Sequence, residues 1–100
     1  METIIDLEDF SKENPNKSPE KGKKYQIRIN RDKFTVAVDS LKGSEILELA
    51  NKVPFQNFQL NQIFRQGAIK KINYDDSVDF TEPGIERFMT IPLDQQEGTE

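Results

Sequence analysis

The chain contains neither cysteine nor histidine. Without cysteine there are no disulfides, no thiolate nucleophile and no cysteine–zinc site. Without histidine the commonest general base and the commonest metal ligand are missing. Only a Ser–Lys pair or carboxylates remain for catalysis. No spacing marks either, so the chain reads as a non-enzyme with no cofactor. No apolar run approaches the roughly 18 residues of a membrane span. The opening "METIIDLEDF" is acidic and lacks the basic start of a secretory signal, which leaves a cytoplasmic protein as the expectation. The 14 basic residues form no stripe and are outnumbered by 18 acidic ones, giving a net charge of −4. That balance argues against nucleic acid as a partner.

What remains is one small domain of 100 residues at the polar edge of the globular class, with 34% apolar and 32% charged side chains. Residues 1–22 read as a disordered N-terminal arm. They hold six acids against three lysines, and "SKENPNKSPEKGK" has no apolar residue with which to build a core. The folded domain is expected over residues 23–94, followed by a flexible tail over 95–100.

Within the domain, "KYQIRIN" alternates, with Tyr25, Ile27 and Ile29 on one face. "KFTVAVD" places Phe34, Val36 and Val38 on one face, and "NRD" between the two segments reads as a hairpin turn. Ile46, Leu49, Ala50 and Val53 follow helical spacing. Ser40 or Ser44 is the expected cap, and Pro54 the stop. "NFQLNQIFRQG" reads as a third strand whose alternation fails at Ile63 and Phe64, the mark of a bulge. "AIKKI" is a short fourth strand. "NYDDSVDFTEPG" is turn-rich, with Val78 and Phe80 as core plugs. "IERFMTIPL" is the last strand, with either Phe88 or Met89 opening its inward set, and Pro92 marks its end or an edge. The order β-β-α-β-β-β, with first and last strands side by side in the middle of the sheet, is an α+β arrangement of the β-grasp type.

"YQIRINRDKFTVAV", "GSEILELANKVP", "FQLNQIFRQGAIKKI" and above all "TEPGIERFMTIPLDQQEG" resemble the bacterial multiubiquitin-type domain, over about residues 24–98. That family comprises ubiquitin-like β-grasp proteins found beside activating, conjugating and deconjugating enzymes. Several members carry tandem copies, whereas this chain holds one. The resemblance implies a protein modifier in a bacterial conjugation pathway associated with antiphage defence. Its partners would be an activating (E1-like) enzyme, a conjugating (E2-like) enzyme, a JAB-type deconjugating peptidase and the target proteins. It also implies that Gly98 becomes the reactive carboxylate once Thr99 and Glu100 are removed. Asp94, Gln95, Gln96 and Glu97 would then be the stretch those enzymes grip. A glycine has no Cβ to obstruct a narrow channel, and an unpacked tail reaches an active site without unfolding its domain. The chain departs from the eukaryotic pattern in having Glu97 where a second glycine usually stands. Its tail is acidic, so an enzyme that grips it needs a basic groove. The alternatives are a non-covalent β-grasp binding module and a sulfur carrier; the latter ends in Gly-Gly without an extension, unlike this chain.

Two other stretches stand out. "IIDLEDF" interleaves aliphatics with acids and resembles a strand-addition motif, in which Ile4, Ile5 and Leu7 would dock on a β-grasp edge of a conjugation enzyme or of another copy. The alternatives are an amphipathic piece packed on its own domain or a segment that is simply disordered. Asp75, Asp76 and Asp79 lack the ligand spacing of a cation loop and read as a solvated turn, so no metal is expected.

Overall fold

The computed structural model describes residues 3–93. Alternation builds the first hairpin as expected. β2 (Lys24–Ile29) turns Tyr25, Ile27 and Ile29 inward, each no more than 1% exposed. It pairs antiparallel with β3 (Asp32–Val36), from Tyr25↔Val36 to Ile29↔Asp32. Val38, assigned to the same inward set, lies beyond the strand and is exposed.

The helix α2 (Gly43–Leu49) is capped by neither serine. A short strand β4 (Ser40–Lys42) precedes it and pairs with β7 (Ser77–Asp79), Leu41 opposite Val78. That pairing keeps the backbone extended to Lys42, whose N–H donates to Glu45 Oε1 at 2.8 Å. The buried face is Ile46 and Leu47, with Leu49 and Ala50 at its margin. Val53 is exposed. Asn51 adopts a left-handed φ of 61°, so the helix ends before Pro54 is reached.

β8 (Ile85–Pro92) is the central strand. It runs antiparallel to β5 (Phe58–Phe64), from Phe58↔Pro92 to Phe64↔Ile85, and parallel to β2 at Ile29↔Phe88. The register slips at Ile63/Phe64, where the alternation of the sequence fails. β6 (Ile69–Ile72) closes the far edge against β5. Facing Ile29 and Gln62, Phe88 takes the inward parity and is buried, while Ile91 and Leu93, of the other parity, are exposed. Ile85 is buried as well because the register slip skips Glu86 and turns it back inward. Val78 and Phe80 plug the core, at 3% and 0% exposure.

The β2–β8 contact is short in backbone terms and is completed by a side chain. Asn30, at a φ of 58° that asparagine tolerates, donates its own N–H to Phe88 O at 2.9 Å. Its Nδ2 donates to Thr90 Oγ1 and its Oδ1 accepts from Thr90 N, both at 2.9 Å. Asn30→Gly keeps the backbone conformation and deletes the clamp. It is expected to cost about 2 kcal/mol, two ordinary hydrogen bonds, read as a lower urea midpoint with an unchanged slope.

The N-terminal arm departs from expectation. Residues 4–13 are ordered. β1 (Ile4–Asp6) adds parallel to β2, with Ile4↔Lys24, Ile5↔Tyr25 and Asp6↔Gln26. Asp6 caps α1 (Leu7–Glu13) by accepting from Asp9 N at 3.2 Å. β3 occupies the other side of β2 throughout. β1 and β8 therefore share one side, β1 at its start and β8 at its end. A parallel pair needs a crossover, and α1 supplies it. The stretch whose composition suggested disorder begins inside α1, at Ser11, and for the rest follows Glu13. "IIDLEDF" carries its own apolar anchor, Leu7, at 2% exposure.

Candidate functional site

The sheet has two differently used faces. α2 packs Ile46 and Leu47 onto the face of Tyr25, Ile27 and Ile29. Arg28 alternates with those isoleucines and pairs across the strands with Lys33, so both project from the opposite face. There they meet α1. Arg28 Nη1 binds Glu8 Oε2 at 2.9 Å, and Lys33 Nζ binds Asp6 Oδ2 at 2.6 Å and Glu8 Oε1 at 3.5 Å. The hydrogen bond to Asp6 raises the lysine's pKa above its ordinary value. Arg65 ties the helix to β8. Its Nη2 donates to Glu8 O at 2.7 Å and to Ser11 Oγ at 3.3 Å, while Nη1 lies 3.5 Å from Glu86 Oε2.

This seat answers where "IIDLEDF" goes. The segment does add as a strand, and the edge it takes in this structure is its own domain's. Ile4 stays half exposed, Ile5 is partly buried and Leu7 is buried. Sequence reasoning missed Arg28, Lys33 and Arg65 as the anchors. Arg28 and Lys33 are outward residues of a predicted hairpin and carried a legible cue, charge opposite to the arm's. Arg65 had none, because it stands beyond the end of β5 and its partners Glu8 O, Ser11 and Glu86 come from distant segments.

β8 delivers the chain to the surface. Leu93 N donates to Asn57 O at 2.8 Å. Beside it lies a cavity of about 290 Å³ lined by Gln59, Lys71, Ile72, Tyr74 and Leu93. Tyr74 is fixed by its hydroxyl on Phe58 O at 2.7 Å and by an edge-on contact with Phe55, ring centroids 5.0 Å apart. Ile91 and Leu93 are 39% and 38% exposed. The tail residues Asp94, Gln95, Gln96 and Glu97, and the processing residues Gly98 and Thr99, lie outside the described residues.

The acidic turn is used for structure. Asp76 Oδ2 accepts from Asn73 N at 2.9 Å, and Asp79 Oδ1 accepts from Thr81 Oγ1 and N at 2.6 and 2.8 Å. Among the described residues no group of three or more acids, histidines or cysteines could hold a metal ion. No described helix is long and apolar enough to cross a membrane. The two bonds from Thr81 hold the Asp79 carboxyl below its ordinary value of 3.8. A depressed pKa contributes stability that is present above the unfolded value and lost as pH falls through the folded one. The wild type should therefore lose stability faster than Asp79→Asn as pH falls from about 4 through the lowered folded value, measured by urea unfolding at each pH; equal slopes would contradict this.

A family model described as Multiubiquitin matches residues 25–92, from β2 to the end of β8. The curated proteins and the solved structures gave no match.

Proposed function

The chain belongs to the multiubiquitin family, and on that premise we propose that it is a ubiquitin-like protein modifier joined to its targets through the C-terminal tail. The observation that carries this reading is where the domain lets go of the chain. Its central strand ends at Pro92, and Leu93 already stands at the surface. A chain that leaves the domain at this point can enter an enzyme with the domain's packing untouched. In this reading a JAB-type peptidase hydrolyses the Gly98–Thr99 bond. The freed carboxylate attacks the α-phosphate of ATP on the activating enzyme, with pyrophosphate leaving. A cysteine thiol of the activating enzyme attacks the acyl carbon and expels AMP. The acyl group moves by thiol exchange to a cysteine of the conjugating enzyme, and a target amine or hydroxyl displaces that thiol. Glycine at the reacting carbon admits close approach of the nucleophile. Asp94 and Glu97 direct the tail to a basic groove. The pathway is cytoplasmic, serves defence against phage, and leaves the chain itself without catalytic duty.

Co-expression with the activating, conjugating and JAB-type proteins of its genomic neighbourhood tests this. Intact mass should fall by Thr99 and Glu100, and a target peptide should appear joined to Gly98. An unprocessed terminus with no adduct, when those enzymes are active, would sink the covalent reading. The exposed Ile91 and Leu93 beside the Tyr74 cavity favour a second reading, a non-covalent binding module. That module predicts full partner binding after truncation at Gln96, whereas the modifier loses all conjugation.

A further inference from the structure

We propose that the seat of the N-terminal arm is an exchangeable site, and that the arm of a second copy of this chain can fill it, giving a closed two-fold dimer with both arms traded. The arm lies outside the family match, which begins at residue 25, so the inference stands apart from the use of the tail. The seat and its ligand are both visible. The ligand is an extended aliphatic–acidic strand followed by about two turns of helix, residues 4–13. The seat is the first half of the free side of β2, a buried place for Leu7, and three cations, Arg28, Lys33 and Arg65.

Each of those contacts is between the arm and the body, and none depends on the two belonging to one chain. A second copy offers the same strand, the same leucine and the same Asp6 and Glu8. Exchange therefore conserves the contacts and changes only the connection. The connection permits it. Downstream, the backbone is pinned again at Glu20, whose carbonyl accepts from the Tyr25 hydroxyl at 2.6 Å, and at Gly22, whose N–H donates to Asp39 Oδ1 at 3.0 Å. Pro19 is buried. The hinge is thus Asn14–Ser18, exposed from Pro15 onward. The six steps from Glu13 to Pro19 reach at most about 20–22 Å. That is shorter than the 23 Å narrowest extent of the molecule, so the two seats must face each other across the axis, which selects a closed pair over an open chain.

A short linker gives the arm's own seat an effective concentration on the order of millimolar. The wild type in dilute solution is consequently a monomer, and exchange sets in where copies are crowded or held side by side. Disabling self-seating exposes the trans reaction. One variant, Arg28→Glu with Lys33→Glu, has an acidic seat that repels its acidic arm. The other, Asp6→Lys with Glu8→Lys, has a basic arm repelled by its basic seat. Alone, each should be a monomer whose α1 amides exchange rapidly with solvent. Mixed, every arm finds a complementary seat only on the other variant. Light scattering should then give a 1:1 complex of twice 11.6 kDa, and the α1 amides should regain protection. A mixture that stays monomeric up to about 1 mM overturns the proposal. Deleting Pro15–Lys17 in the wild-type background is the second test. A hinge of two residues disfavours self-seating, and an arm-exchanged dimer is expected; a monomer overturns the proposal equally.

Discussion

Replacing Phe80 with alanine should lower the unfolding free energy by about 3–5 kcal/mol, a large share of the roughly 5–15 kcal/mol a domain of this size possesses. Phe80 is fully buried although it belongs to no strand or helix. Its ring stands between Tyr25 and Phe88, centroids 6.2 and 6.5 Å away, the latter edge-on at 87°. It thereby joins the first strand of the hairpin to the central strand. The cavity left by alanine would not close easily. The backbone at Phe80 is pinned by its N–H on Asp39 O at 2.8 Å, and the next residue is held by Asp79. Urea unfolding followed by circular dichroism measures the loss, with Val53→Ala as the comparison. Val53 is 54% exposed, and its truncation should stay within about 0.5 kcal/mol of wild type. A loss below about 1 kcal/mol at Phe80 would mean that the segment after β7 is not part of the core.

Gly43→Ala is the second large effect, and its sign opposes helix propensity. In an exposed helix the change gains up to about 1 kcal/mol. Here a Cβ would fall within contact distance of the Asn73 carbonyl oxygen, with Ile72 Cγ2 at 3.1 Å behind it. The obstacle is backbone and has no rotamer to move. The same approach sets two hydrogen bonds, Gly43 N to Asp76 O at 2.9 Å and Ser44 N to Tyr74 O at 3.0 Å. Pushing the 73–76 turn away strains or breaks them. A cost of about 3 kcal/mol is expected from overpacking together with weakened bonds. Calorimetry of the variant decides it: a raised melting temperature would show that the turn yields freely. Loosening that turn also displaces Tyr74 and reshapes the cavity it lines with Ile72 and Leu93.

Local pattern carried a good deal of this molecule. Alternation at Tyr25, Ile27 and Ile29 settled the first strand, because each inward residue needs only its own neighbours' parity. The failed alternation at Ile63 and Phe64 announced the register slip, and Val78 and Phe80 stood out as apolar residues in a turn-rich stretch. The resemblance carried by "TEPGIERFMTIPL" led to the family, and the family match stops at residue 92, short of the tail on which the modifier reading turns. What only the tertiary structure decided lies where distant segments compete for one position. Phe88 rather than Met89 faces inward because Ile29 and Gln62 stand opposite it. Asn30 clamps Thr90 because β2 ends one rung too soon. The arm is ordered because Arg28, Lys33 and Arg65, scattered along the chain, converge on its acids and carbonyls. Periodicity reports which way a residue faces within its own element. Which partner waits on that face is set by the strand order, and that order is a property of the folded sheet.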